Sequence, residues 1–289
     1  MSAMQDMTKG GAAGHLLRYA VPLMLGNWFQ LAYNAVDSII VGQFVGANAL
    51  AAVGAAFPAM FLAMSVLIGI TMGVQIIISQ LFGAGEHERM RATFATSIIS
   101  LMILVVIASV IGYFASGTIL ELMNTPPEII ADSKAYLDEI FKGLIFMFLY
   151  NLYTSVLRGV GDSKTPLYFL IISSILNIVL DLVYVILFGM GVRGVAVATV
   201  QSQAVSVILC IIYTNIRIPL FRLGLKDLRV DFGILRTVLR FGIPTAIQQS
   251  ISAIGSMLVQ GLVNSFGATA AAAFAAGNKV ESFMMMPLI

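Results

Sequence analysis

The chain has 289 residues, of which 59% are hydrophobic and only 10% charged, and its formal net charge is +2. Soluble domains run at about 25% charged residues. A globular protein this poor in charge could not cover its own surface, and the near-neutral balance argues against nucleic acid as a partner. The composition points to an all-α, polytopic membrane protein embedded in the lipid bilayer. One cysteine, Cys210, lies inside an apolar run and excludes an internal disulfide framework. The start reads as lacking a cleavable signal peptide, because the apolar segment after Arg18 is too long for a signal core.

A spanning helix needs about 20 mostly apolar residues. Segments near 17–45, 50–82, 92–116, 140–158, 165–188, 193–216, 232–264 and 268–289 meet or approach that length, about eight spans in all. The alternating ten-residue pattern of an outer-membrane barrel is missing. With the N-terminus cytoplasmic, Lys9, Arg18, Arg89, Arg91, Arg158, Lys164, Arg217, Arg222, Lys226, Arg229, Arg236 and Arg240 all fall on the inner side. The outer side keeps Lys134, Lys142 and Arg193 with an acidic group, Glu121, Glu128, Asp132, Asp138 and Glu139.

The first span carries Asn27, Gln30, Asn34 and Asp37, which fall within about 80° of one helical face. An ionised Asp at mid-bilayer costs about 2.5–3.5 kcal/mol on insertion scales. The stripe must therefore face a protein interior or a watery cavity. On the second span Thr71, Gln75 and Ser79 share a face, as helix–helix contacts or as cavity lining. Methionines, among them Met60, Met64, Met72, Met102 and Met147, offer adaptable apolar surface.

The fifth span repeats the polar pattern, with Ser174, Asn177, Asp181 and Tyr184 on one face. At 1.5 Å per residue, Asp37 lies about 12 Å below the outer end of its span, Asp181 about 10 Å, Thr199 on the sixth span about 9 Å, and Asn151 on the fourth about 13 Å if Lys142 marks the interface. Four helices thus offer polar groups at one depth. Two carboxylates close together in low dielectric cannot both stay ionised cheaply: they share a proton or hold a cation between them. Carboxylate, amide and hydroxyl oxygens are also ligands for a hard cation. The alternative is that each Asp pins helix packing through hydrogen bonds. "GVGD", Gly159–Asp162, formally fits a G-x-G-D intramembrane aspartyl protease signature, but it sits in an inner loop between Arg158 and Pro166, where a tight turn explains it.

The segment Arg217–Gly233 mixes basic and apolar residues and reads as a linker lying along the inner membrane surface. It divides the chain into a first lobe, 1–216, a linker, 217–231, and the start of a second lobe, 232–289. The division follows an internal repeat. "RYAVP" at Arg18–Pro22 recurs as "RFGIP" at Arg240–Pro244, and "FVGANALAAVGAA" at Phe44–Ala56 as "FGATAAAAFAA" at Phe266–Ala276. Six spans lie between the two starts, so both copies enter the membrane the same way up, as a parallel repeat. The second copy stops after about two spans, and the chain is expected to be a piece of one with about 12.

Four stretches carry a resemblance: "VPLMLGNWFQLAYNAVDSIIVGQFVG" in the first span, "LRGVGDSKTPLY" before the fifth, "NIVLD" within it, and "GVRGVAVATVQSQ" opening the sixth. In order and spacing they resemble MATE (multidrug and toxic compound extrusion) transporters, most closely the prokaryotic branch whose cation site lies in the N-terminal lobe. The resemblance implies two six-helix lobes in a V with alternating access in the prokaryotic inner membrane. It implies export of amphipathic or cationic drugs in exchange for H+ or Na+, with no enzymatic step and no other cofactor, by a chain monomeric when complete. The matching cation-site positions are Asp37, Asn177, Asp181 and Thr199, where a Na+ would sit, with Asn151 as a looser addition. Asn27, Gln30, Asn34, Gln75, Met64, Met147 and Lys279 are the candidates for the substrate cavity. Some members carry an acid on the seventh span. Here the repeat partner of Asp37 is Val259, which places coupling in the first lobe. Without the last four of twelve spans the chain is not expected to transport by itself. A lipid or oligosaccharide flippase of the wider superfamily is the alternative, weakened by the scarcity of cationic residues in the first lobe.

Overall fold

The computed structural model describes residues 12–123, 125–224 and 229–265, with isolated positions 277, 281 and 284. The expected eighth span, the repeat segment Phe266–Ala276 and Lys279 lie outside the described residues, apart from those isolated positions. Seven long helices account for most of the described chain: α1 (Ala12–Ile40), α2 (Ala47–Gly83), α3 (His87–Leu122), α4 (Pro127–Gly159), α5 (Lys164–Leu182), α6 (Gly191–Arg217) and α7 (Phe232–Ser265). Five of them, α2 to α6, are long and apolar enough to cross a membrane, and the molecule is a multi-pass membrane protein. In α1 and α7 the polar stripe and the pair Arg236 and Arg240 with Gln248 and Gln249 lower the mean hydropathy.

Helices α3 and α4 run well past the expected spans, to Leu122 and back to Pro127. The polar stretch that was expected to be loop is helical because Pro127 starts the helix at a position that needs no amide partner. Lys134 then pairs with Asp138 one turn later (2.6 Å), and Ser116 of α3 donates to the same carboxylate (2.5 Å). Glu139 accepts from Lys142 (3.0 Å) and from Arg193 at the start of α6 (2.9 Å), tying α4 to α6 at the outer end. Lys142 therefore sits inside a continuous helix and does not mark its end.

The core lies where α4 is surrounded by α2, α3 and α6, with Phe94, Leu101, Leu144, Phe148, Leu152 and Val195 fully buried. Close helix approach depends on glycine. A Cβ on Gly143 of α4 would fall 2.1 Å from the Val200 side chain on α6, and one on Gly112 of α3 would meet the Phe141 ring at 2.4 Å. The linker is tucked in more than a surface segment would be. Ile218 and Phe221 are buried, Phe221 packs edge-on against Phe94 (5.1 Å), and Arg91 of α3 donates to Arg222 O (3.0 Å). Asp231 N–H donates to the Thr96 hydroxyl (3.2 Å), and the Asp231 carboxylate caps the first amides of α7.

Candidate cation site and inner turn

Helices α1 and α5 each place one acid near their outer end, and each ends in a five-residue π-helical turn just beyond it, Val41–Val45 and Val183–Leu187. Such turns widen the helix and often occur at functional sites. Asp37 and Asp181 approach each other there, close enough to interact electrostatically. Asp181 is fully buried and Asn177, one turn before it, is nearly so. The Asn177 amide, oriented by its partners, donates to Asp181 Oδ2 (3.0 Å) and to the Tyr33 hydroxyl (3.2 Å), while its oxygen accepts from the Thr199 N–H (3.1 Å). The Thr199 hydroxyl donates to Val195 O (3.0 Å), which leaves its oxygen free to accept.

Asp37, Asn177, Asp181 and Thr199 are thus brought together from α1, α5 and α6. Oδ1 of Asp37 and Oδ1 of Asp181 are both buried without a donor. Two carboxylates can contact each other only if one carries a proton or a cation lies between them. The oxygens present suit a hard cation as well as a proton.

Asn151 does not join this group. It lies 15 residues further along α4 than Tyr136, about 22 Å nearer the inner end, and its amide donates to Met147 O (2.8 Å). The depth argument failed there because it started from Lys142. What α4 contributes instead is Tyr136, buried and within electrostatic range of both acids. Tyr33 and Tyr136 were not singled out in the sequence. Tyr33 could have been, since it precedes Asp37 by one helical turn on the same face. Tyr136 could not, because it falls in the polar stretch outside the expected span.

The rest of the α1 stripe turns away from the pair. Gln30 and Asn34 are exposed and bonded to each other (3.4 Å), and Asn27 is half-buried. Gln75 and Met64 are half-buried on α2. Met147 is a core residue, 8% exposed, packed in the hydrophobic core. Thr71 and Ser79 bond their own helix backbone.

The Gly159–Asp162 motif forms the inner turn between α4 and α5. Gly161 takes the left-handed conformation (φ 85°). Asp162 Oδ1 accepts from Lys164 N (3.2 Å) and Thr165 N (3.0 Å), and Oδ2 from the Thr165 (2.6 Å) and Tyr213 (3.2 Å) hydroxyls. Both oxygens are thus taken up by donors at the start of α5 and on α6, as the tight-turn reading of this motif expects. Asp162→Ala is expected to cost about 0.5–2 kcal/mol, as a lost helix cap does, read as a lower Tm in detergent.

Comparison with known proteins bears on the site. The family model described as MatE matches residues 22–183, a stretch that includes both acids. A protein of Bacillus subtilis (strain 168) described as "Probable multidrug resistance protein YoeA" is 37% identical over 278 residues, 94% of this chain and 60% of its own length. A second from the same organism, "Probable multidrug resistance protein YpnP", is 30% identical over 98% of this chain and 63% of its own length. The chain therefore spans less than two thirds of these relatives. A solved structure described as the outward-facing conformation of a multidrug resistance MATE family transporter of the MOP superfamily superposes with a TM-score of 0.91 over 99% of this chain and 64% of that one, at 25% identity.

Proposed function

Because the chain belongs to the MATE family of transporters, we propose that it forms the coupling half of a secondary antiporter that exports amphipathic or cationic small molecules in exchange for H+ or Na+. The observation that carries this reading is the pair Asp37 and Asp181, each with a buried Oδ1 lacking a donor. A proton shared between them, or a Na+ held by Asp37, Asp181, Thr199 and the Asn177 side chain, supplies what those oxygens lack. Asn177 holds Asp181 in place, and Tyr33 and Tyr136 close the site on the α1 and α4 sides.

Alternating release requires only that the pair bind the cation when the site faces outward and lose it when it faces inward. One charge moving down 100 mV supplies about 2.3 kcal/mol, close to fifty-fold in substrate gradient. The exposed amides Gln30 and Asn34 lie on the same helix as Asp37, so cargo against α1 and cation at Asp37 act on one element. The repeat of the α1 entry sequence in α7 without an acid supports coupling from the first lobe alone. The basic residues Arg89, Arg91, Arg158 and Arg217 support an orientation with the N-terminus inside, and the bacterial relatives support an inner-membrane location.

The test is efflux of a fluorescent lipophilic cation from cells expressing the protein as its reading frame encodes it. Expression should lower steady-state accumulation of the dye, and collapse of the ion gradient should abolish the difference. Unchanged accumulation of every lipophilic cation tried, with the protein present in the membrane, contradicts the reading.

A further inference from the structure

Helix α3 begins on the inner side, and its first turns face the start of α7 across a crevice. A cavity of about 800 Å³ lies between the inner ends of α2, α3 and α7, with Gln80, Arg89, Thr93 and Thr237 in its lining. A second, of about 550 Å³, adjoins it, because Glu88, Ala92 and Asp231 line both, and it adds Arg91 and Arg229. Three arginines thus face two carboxylates in one crevice. The Asp231 carboxylate is already engaged: its Oδ1 accepts from Gly233 N (2.8 Å) and Ile234 N (3.1 Å). Arg89 pairs with Glu86 (2.8 Å), but both side chains are exposed, and such a pair holds weakly. Among the described residues no carboxylate pairs with Arg229. The crevice can therefore take another anion.

The crevice offers more than charge. The Thr93 hydroxyl donates to Arg89 O (2.8 Å) and the Thr237 hydroxyl to Gly233 O (2.9 Å), so both oxygens can still accept from a ligand that carries hydroxyls. Toward the outer side, the α3 wall continues as an apolar strip. Ala92, Thr96, Ile99, Ile103 and Ile107 follow one face at helical spacing, and Ile103 and Ile107 are 57% and 54% exposed. On the α7 side Phe232 lines the second cavity and is 79% exposed. A basic crevice below and bare apolar side chains above fit a molecule with an anionic head and a hydrocarbon tail. A water-soluble anion would use only the first. The linker adds charge of the same sign: six basic residues and two acids lie within 217–240, a density that attracts anionic lipid to a segment beside a membrane.

We propose that this crevice between α2, α3 and α7 is a binding site for one anionic phospholipid of the inner leaflet. Its phosphate sits among Arg89, Arg91 and Arg229, its headgroup hydroxyls reach Thr93 and Thr237, and its acyl chains run along Ile99, Ile103 and Ile107 of α3. Bound there, the lipid joins α3 to the linker and to the start of α7, and so fastens the second-lobe segment to the first lobe. The site stands apart from the antiport reading and needs only that these arginines lie on the inner side.

The test is the Tm of the protein, expressed as its full reading frame encodes it, purified in a neutral detergent and titrated with phosphatidylglycerol or with zwitterionic phosphatidylcholine of the same chains. Phosphatidylglycerol should raise the Tm along a saturable curve, as a ligand of the folded state does. Phosphatidylcholine should raise it less, without saturating over the same range. A basic residue near a membrane surface contributes about fivefold in affinity for anionic lipid. Arg89→Gln and Arg229→Gln should therefore each raise the half-saturating concentration about fivefold, and together about thirtyfold. Arg217→Gln, at the inner end of α6 and outside the crevice, should leave the curve unchanged. Each variant is read against its own Tm without lipid, so altered basal stability does not imitate lost binding, and the single variants carry the comparison if the double variant does not fold. An equal response to the two lipids, an unchanged curve in the arginine variants, or an equal loss in Arg217→Gln each overturns the site. Inorganic phosphate is titrated alone as well: if it reproduces the rise and abolishes the lipid response, the crevice binds free anions and the lipid proposal fails.

Discussion

Asp37→Asn and Asp181→Asn are each expected to abolish ion-coupled exchange while leaving the protein expressed and inserted. Asn keeps the shape of Asp but is neutral and presents a donor where Asp presents an oxygen, so it cannot share a proton with, or help hold a cation beside, the remaining acid. In Asp37→Asn the new amide would donate to the orphaned Asp181 Oδ1, so the pair becomes satisfied without a proton or Na+. Replacing an unmatched buried acid by its amide also removes a desolvation cost, so folding should not suffer. The loss should appear as flux that no longer responds to an imposed gradient, with substrate binding retained. Asn177→Ala should give a weaker version of the same defect, because it frees Asp181 Oδ2 and removes the link to Tyr33 and Thr199. A double variant Asp37→Asn with Asp181→Asn that exchanges at the original rate would sink the site assignment.

The second large effect is expected at Gly143→Val. The Cβ alone would lie 2.1, 2.6 and 2.9 Å from three atoms of Val200, and a β-branched neighbour has few rotamers to retreat into. Helices α4 and α6 must move apart, at a cost of about 1–3 kcal/mol or more for overpacking, measurable as a lower Tm. The consequence reaches the site, because Val200 follows Thr199, whose N–H bonds Asn177. Separating α4 from α6 therefore loosens the cation site as well as the core. In the milder variant Gly143→Ala, the companion change Val200→Ala should recover most of the loss, as a coupled pair does in a double-mutant cycle. Recovery no better than the sum of the single variants would show that the contact is not the cause.

How far the sequence led can be judged from particular residues. The polar stripe and the i,i+4 pair of Asn177 and Asp181 pointed to helices whose acids the structure brings together at nearly one depth, because helical rise is constant and the cost of burying charge leaves few places for it to go. Asn151 was drawn in by an anchor, Lys142, that proved to lie well inside a helix. Whether a polar stretch beside the membrane is loop or projecting helix depends on tertiary pairs such as Lys134–Asp138 and Glu139–Arg193, which no single segment announces. Tyr136 was lost for the same reason. The π-helical turns after Asp37 and Asp181 left no mark in composition or periodicity. The close approach of α2 and α7, where a Cβ on Gly69 would meet Ala246 and one on Gly73 would meet Gly242, was equally hidden, since glycines in an apolar span say nothing about which helix comes close to them. The linker showed its basic and apolar mixture plainly, but only the structure shows Ile218 and Phe221 inserted beside Phe94.

The central claim is that the Asp37–Asp181 pair binds the coupling cation of an antiporter. Its most direct test is substrate exchange in reconstituted vesicles with ΔpH and ΔpNa imposed separately. The account predicts that at least one of the two gradients drives substrate against its own gradient in the unmodified protein, and that neither does so in Asp37→Asn. Uphill movement that persists in the Asp37→Asn, Asp181→Asn double variant, or transport in the unmodified protein indifferent to both gradients, would contradict it.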